Sequence, residues 1–412
     1  MMILLFFFNL LIEVLYFLLY PLLYLFLRQK KYLPAIKAEG EDIQKGILFH
    51  SASMGELTAI KTLVIRHLQE HPEVKLCITT STVTSCAEAN KISPNVHSYL
   101  SALDIPHLRN KQMKRINPGL ICIIETEIWP NMLLWAKQNK VPVLFLNARM
   151  STRTFKGYRL LKFLFWHLQS PITEIHTQSK EDAMRYRKIF RKPVLNSGNL
   201  KFSLVLKDYN AEQLRKEWGY NNDDFIICWG SSRPGEEALL ISLYPFLKEA
   251  IPNLHLIIAL RHPRRLEEVK ELLCDYTYSC FTTRKDKSQT EEIMLLDTLG
   301  ILDQAYCICD MAIVGGSFYD FGGHNPLEPA YYKKPVIIGP YHYSCKESVK
   351  KLRQAGGIII SNKDDLGNDL ITLYKNKELR EKMGIAAKKV LTENARTLNI
   401  YLQALEKWLK EE

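Results

Sequence analysis

The chain has 412 residues, 47% hydrophobic and 24% charged, which is enough for two or three packed domains and excludes a largely disordered protein. With 55 Lys and Arg against 44 Asp and Glu, the net charge is +11. That charge is diffuse rather than gathered in a basic tract, which argues against nucleic acid and suits an anionic substrate or an anionic membrane surface.

Residues 1–27 carry one charge, Glu13, and otherwise only Asn9 and Pro21 interrupt the apolar run. As a helix this stretch is ~40 Å long, more than the ~30 Å of a hydrocarbon core. It exceeds a signal-peptide core and has no basic leader or small-residue cleavage site. Arg28, Lys30, Lys31 and Lys37 follow, a cluster expected to keep the rest of the chain in the cytoplasm. Asn9, Glu13, Tyr16, Tyr20 and Tyr24 share one narrow arc of the helix. This stripe leaves three arrangements open: a span, a helix lying in the interface, or a helix packing its stripe on the protein.

From residue 46 short apolar runs alternate with helical patterns, as in parallel βαβ units. Strands are predicted at 46–50, 75–80, 119–124, 141–146, 172–177 and 193–196. A polar stretch, 203–224, reads as a linker with a helix. The pattern then restarts, with strands at 225–229, 254–260, 293–296, 311–314, 335–338 and 357–360, and ends in a charged helical region over 377–410. The expected organisation is an anchor helix (1–31), a Rossmann-like domain (32–202), the linker, and a second Rossmann-like domain with terminal helices (225–412). Two doubly wound α/β domains imply a cleft, with ligands outside the carboxyl ends of the strands. Neither a GxGxxG after the first strand nor a P-loop motif is present, so dinucleotide and P-loop chemistry gain no support. The nine cysteines include no CxxC pair and several lie in apolar runs, so reduced thiols are expected rather than zinc or disulfides. No cluster of Asp or His suggests another metal, and no cofactor is expected.

The strand ends carry the chemistry. Glu56, in Ser51-Ala52-Ser53-Met54-Gly55-Glu56, either completes a capping box with Ser53 or stands at a helix start as a general base. Glu125 and Glu127 end a very apolar strand, where a carboxylate needs a partner. Glu125, nearer the strand, is the candidate for the site, and pairing with a base is its ordinary structural role. Lys201 lies at the domain junction and is either solvated or facing an anionic substrate.

In the second half, Ser231 lies in a turn that opens a helix, where amides bind anions. Arg261 is a guanidinium fork for phosphate or carboxylate. Gly315, Gly316 and Ser317 form a glycine turn whose amides are expected to face a phosphate. Asn325 reads as an N-cap with Pro326 at N1, and Glu328 is one turn in, within reach of ribose hydroxyls. These features favour a nucleotide-sugar glycosyltransferase of the GT-B type, with the donor in the second half and the acceptor in the first.

HSASMGE (50–56), ETEIWPN (125–131), LNARMS (146–151), SGNLKF (197–202), GSSRPGEE (230–237), RHP (261–263), DTLG (297–300), VGGSF (314–318) and GGHNPLEPA (322–330) occur in the order of a known family. The chain resembles the membrane-anchored transferases that move 3-deoxy-D-manno-octulosonic acid (Kdo) from CMP-Kdo to the lipid A precursor, lipid IVA. The resemblance implies Glu56 as general base, with Glu125 and Lys201 assisting. It implies CMP contacts at Leu260 and Arg261, at Leu299, Gly300 and Ile301, and at Asn325, Pro326, Leu327 and Glu328. One departure stands out: Arg233-Pro234 occupies the place of the family's usual His. The rival expectation is a GT-B enzyme that uses a UDP-sugar on a membrane lipid.

Overall fold

A computed structural model describes residues 2–160, 162–284 and 291–409. The chain forms two compact units, Met1–Ser203 with Asn394–Glu412, and Leu204–Glu393.

The first unit holds seven strands: β1 (Ile47–His50), β2 (Leu76–Thr80), β3 (Val96–Leu100), β4 (Leu120–Ile124), β5 (Val143–Ala148), β6 (Ile172–Thr177) and β7 (Val194–Asn196). They form one sheet in the order β3-β2-β1-β4-β5-β6-β7, and every pair is parallel. Alternate residues of a strand serve opposite faces. Leu48 of β1 joins the core on one side of the sheet, while Ile47 and Phe49 join the core on the other. Burial on both faces explains why these strands read as continuous apolar runs. The edge strand β3, Val-His-Ser-Tyr-Leu, is buried only at alternate positions, which is why no apolar run announced it.

The second unit repeats the plan with β8 (Phe225–Ser232), β9 (Leu254–Leu260), β10 (Tyr278–Cys280), β11 (Ile293–Leu296), β12 (Met311–Val314), β13 (Val336–Ile338) and β14 (Ile358–Ile360), in the order β10-β11-β9-β8-β12-β13-β14. Phe225, Ile227 and Trp229 of β8 face one core, and Ile226 and Cys228 the other. The expected linker, 203–224, belongs to this unit from Leu204 onward: the helix Ala211–Glu217 and the residues after it bury Leu214, Trp218 and Tyr220 in its core.

The carboxyl-terminal boundary needs correcting. The helix Ala395–Leu409 returns to the first unit, where Leu398, Tyr401, Leu402 and Leu405 pack under the β1 face of the sheet. An amphipathic pattern dictates that one helical face is buried, but not against which sheet.

The helix Met2–Gln29 packs its polar stripe on the first unit. Asn9 and Asn131 exchange side-chain amide hydrogen bonds at 2.9 and 3.3 Å. Glu13 accepts from the His107 N–H at 2.8 Å and pairs with the His107 ring. Tyr16 is buried against that ring. The opposite side, from Phe6 to Phe26, is exposed and apolar. Among the described residues one helix is long and apolar enough to cross a membrane, Phe6–Gln29.

Candidate active site

Glu56 lies in the first turn of the helix Met54–Glu70, whose N-cap is Ser53. Ser53 Oγ accepts the Glu56 N–H, while the Glu56 carboxylate accepts the Ala52 N–H at 2.6 Å. The capping arrangement is therefore present, displaced by one residue, and it aims the carboxylate back over the end of β1. Burial pushes the Glu56 carboxyl up to about 7, and the charge of Glu125 adds to the effect. Capping and general-base chemistry are compatible here, because the cap fixes the group while burial tunes it.

Glu125 follows β4 with φ +57°, a conformation unfavourable for a residue with a side chain. Its carboxylate meets Lys201 Nζ at 3.0 Å and Gln178 Nε2 at 3.3 Å, with Arg149 Nε 3.8 Å away. Its carbonyl accepts from the buried Tyr186 hydroxyl at 3.1 Å. Lys201 sits in the 3-10 turn Leu200–Phe202, where Asn199 Oδ1 accepts its N–H. Glu56, Glu125 and Lys201, separated by up to 145 positions (201 − 56), thus converge on the carboxyl ends of one sheet. Glu127 is also half-buried, which raises its carboxyl.

Gln178 was absent from the sequence expectations, although it follows β6 as directly as Glu125 follows β4. It bridges Glu125, the Asn147 carbonyl and the Asn199 side chain. Asn147, within the LNARMS motif, is wholly buried at φ +54° and accepts the Leu200 N–H.

In the second unit one expectation fails. The amides of Gly316, Ser317 and Phe318 donate to the carboxylate of Glu236 at 2.8–3.0 Å, and the Arg233 amide makes a fourth such bond at 2.9 Å. The Gly315 amide donates to the Gly230 carbonyl, and those of Gly323 and His324 to Gly316 and Gly315. The backbone N–H groups of Gly315, Gly316 and Ser317 are therefore not free to hold a phosphate. A buried carboxylate needs donors, and Glu236 takes those the turn presents.

Positive charge lies beside this turn instead. Arg233 Nη1 is 2.7 Å from His262 Nε2, and its guanidinium lies over Phe321. Burial, with Arg261 and Arg233 adding to it, pushes His324 down to about 4. Gly316 admits no side chain, since a Cβ there would stand 2.9 Å from the His324 ring. Arg261 follows β9 and is exposed, next to the buried Leu260. Ser231 occupies a β-bulge between Gly230 and Ser232 with φ +58°, a device that re-aims a strand end.

The GGHNPLE segment starts its helix one residue later than expected. The helix is Leu327–Tyr331 with Pro326 as cap, and Asn325 Oδ1 accepts the Leu327 N–H from outside it. Glu328 is pinned by Asn325 Nδ2 at 3.2 Å, and burial raises its carboxyl. Leu299 is 69% exposed and Gly300 turns at φ +89°. Ile301 is half-buried and packs its side chain against the core, which leaves its backbone for any ligand contact. Among the described residues no group of three or more His, Cys, Asp and Glu forms a metal-ligand set.

Residues 27–204 match the model of the 3-deoxy-D-manno-octulosonic-acid transferase amino-terminal domain, and residues 211–390 that of glycosyl transferases group 1. The 3-deoxy-D-manno-octulosonic acid transferase of Haemophilus influenzae is 31% identical over 376 residues, which are 89% of this chain and 88% of that protein. The chain belongs to the Kdo transferase family. A Rickettsia felis transferase of the same description is 28% identical over 88% of this chain and 79% of its own length. The fold is that of the GT-B enzymes: MurG of Acinetobacter baumannii superposes with a TM-score of 0.54 at 13% identity, covering 88% of this chain and 99% of its own. The transferase thus keeps the two-sheet framework of enzymes with which it shares little sequence.

Proposed function

We propose that this Kdo transferase takes Kdo from CMP-Kdo and places it on a hydroxyl of the lipid A precursor, lipid IVA, by a single inverting displacement. Glu56 removes the acceptor proton as the new C–O bond forms at the anomeric carbon. The bond from that carbon to the phosphate oxygen breaks, and CMP leaves. The observation that carries this reading is the placement of Glu56: a fixed, mostly buried carboxyl brought to about 7, close to the value that suits a base at neutral pH. Glu125 and Lys201 support the developing charges nearby. On the donor side the growing phosphate charge falls to Arg261 and Arg233, because the glycine-turn amides are already engaged by Glu236. Leu260, Leu299 to Ile301, and Asn325 to Glu328 remain the proposed CMP contacts.

The acceptor assignment draws support from the first unit. A helix with an exposed apolar side, followed by Arg28, Lys30 and Lys31, suits anchorage in the inner membrane with the catalytic domains on its cytoplasmic side. Titration with CMP and UDP tests the donor. Saturable CMP binding that UDP does not displace is expected, whereas preference for UDP would point to a UDP-sugar transferase.

A further inference from the structure

The carboxyl-terminal helix places one hydroxyl beneath the Glu125–Lys201 pair. Tyr401 is wholly buried on Ala395–Leu409. Its hydroxyl accepts the N–H of Asn147 at 3.2 Å and donates to the carbonyl of Gly198 at 3.0 Å. The Tyr401 ring packs beside His176, with centroids 5.5 Å apart. One hydroxyl therefore joins the end of β5 to the turn that leads into Lys201. The two segments are tied a second time, since the Leu200 N–H donates to the side-chain Oδ1 of Asn147 at 3.0 Å. Asn147 sits at φ +54°, a conformation costly for a residue with a side chain, and Gly198 at φ +92°, one that glycine allows. The same helix crowds Gly198 directly, for a Cβ there would lie 2.3 Å from Thr397 Oγ1.

We infer that Tyr401 is a positioning residue for the transfer reaction: its hydroxyl fixes the Asn147 and Gly198 backbones and thereby holds Lys201 against Glu125. The inference rests on the reading above in which Glu125 and Lys201 assist transfer. Without the hydroxyl, the buried N–H of Asn147 and the half-buried carbonyl of Gly198 lose this partner, and the turn carrying Lys201 relaxes. A displacement on the order of 1 Å in a positioning group costs ~10²-fold in rate. The hydrogen-bond and ring partners of Tyr401 given above, Asn147, Gly198 and His176, all belong to the first unit, so donor affinity is expected to stay out of its control.

The test is a double-mutant cycle in the full-length, detergent-solubilised enzyme. Tyr401→Phe should lower kcat about 10- to 100-fold while KM for CMP-Kdo and affinity for CMP stay at wild-type values. Because Tyr401 acts through Lys201, the double variant Lys201→Ala/Tyr401→Phe should be no slower than Lys201→Ala alone. Leu405→Ala removes core packing from the same helix without touching the turn, and it should keep kcat at a temperature where it is folded. Losses that multiply in the double variant would overturn the inference, as would a wild-type kcat in Tyr401→Phe or an equal loss in Leu405→Ala. Hydrogen–deuterium exchange over 198–203 decides the positioning itself: it should quicken in Tyr401→Phe, and unchanged exchange contradicts the inference whatever the transfer assay gives. A wild-type enzyme that moves no Kdo while this exchange difference holds would strike the functional reading instead.

Discussion

Lys201 Nζ lies 3.0 Å from Glu125 Oε1, an ion pair that reaches from the end of β4 to the turn after β7 across two intervening strands. The pair explains how a carboxylate at φ +57° is kept at the end of an apolar strand. It also sets the environment of Glu56, whose proton affinity rises in part because Glu125 is charged.

Glu56→Gln should reduce kcat by ~10²–10⁴-fold and leave CMP affinity unchanged, since the amide keeps the shape of the side chain and cannot take a proton. Steady-state kinetics with a parallel CMP titration check both halves. Wild-type turnover in this variant would remove Glu56 from the mechanism.

The base must be deprotonated to act, so kcat/KM should climb with pH and level off above about 7. In Glu125→Gln one of the influences that raise Glu56 is gone, and the climb should move to lower pH. Stability runs the opposite way. A carboxyl raised on folding binds its proton more tightly in the native state, so its contribution falls as pH rises from the ordinary carboxylate range through about 7. Thermal melts should accordingly show Glu56→Gln gaining on the wild type at pH 8 and not at pH 4.

Glu236→Ala should be among the most damaging single changes in the second unit. It leaves four N–H groups, from Arg233, Gly316, Ser317 and Phe318, without their acceptor. At ~1–3 kcal/mol per orphaned buried group, denaturant titration should show a loss of about 4 kcal/mol or more. CMP binding should fail with it, because the turn supports the Arg233 side of the site.

The seating of the amino-terminal helix rests on Glu13 and Asn9. Glu13→Ala removes its bonds to the His107 N–H and ring, and a hydrogen bond to a charged group is worth ~1.5–3 kcal/mol. Exchange over 104–109 should quicken in that variant while the protein still sediments with membranes. Unaltered exchange would mean that the Asn9–Asn131 pair and the apolar contacts around Tyr16 hold the helix without Glu13.

The parallel strands, their approximate bounds and the carboxylates at their ends were legible in the sequence, because burial on both faces writes a strand as an unbroken apolar run. Leu120 to Ile124 followed by Glu125 is the clearest instance. The edge strands β3 and β10 escaped notice, since half-buried edges carry polar residues such as His97, Ser98 and Ser279. Glu236 stands in the GSSRPGEE motif, yet three of its four backbone partners are amides 80 or more positions away, which no local pattern records. For the same reason the glycine turn reads as an anion site, whereas the anion that its amides hold belongs to the protein. Tyr401 lies in the charged helical region over 377–410, where nothing in the pattern shows that its hydroxyl finds the turn before Lys201.

The most direct test of the central claim is mass spectrometry of the product formed by purified, full-length protein from CMP-Kdo and tetraacyl lipid A precursor, with Glu56→Gln alongside. The account predicts that the wild type adds one or more Kdo residues to the lipid and releases one CMP for each, and that the variant adds none in the same time. An unmodified lipid in the presence of protein that still binds CMP would contradict the acceptor assignment. Equal product from the wild type and the variant would contradict the mechanism.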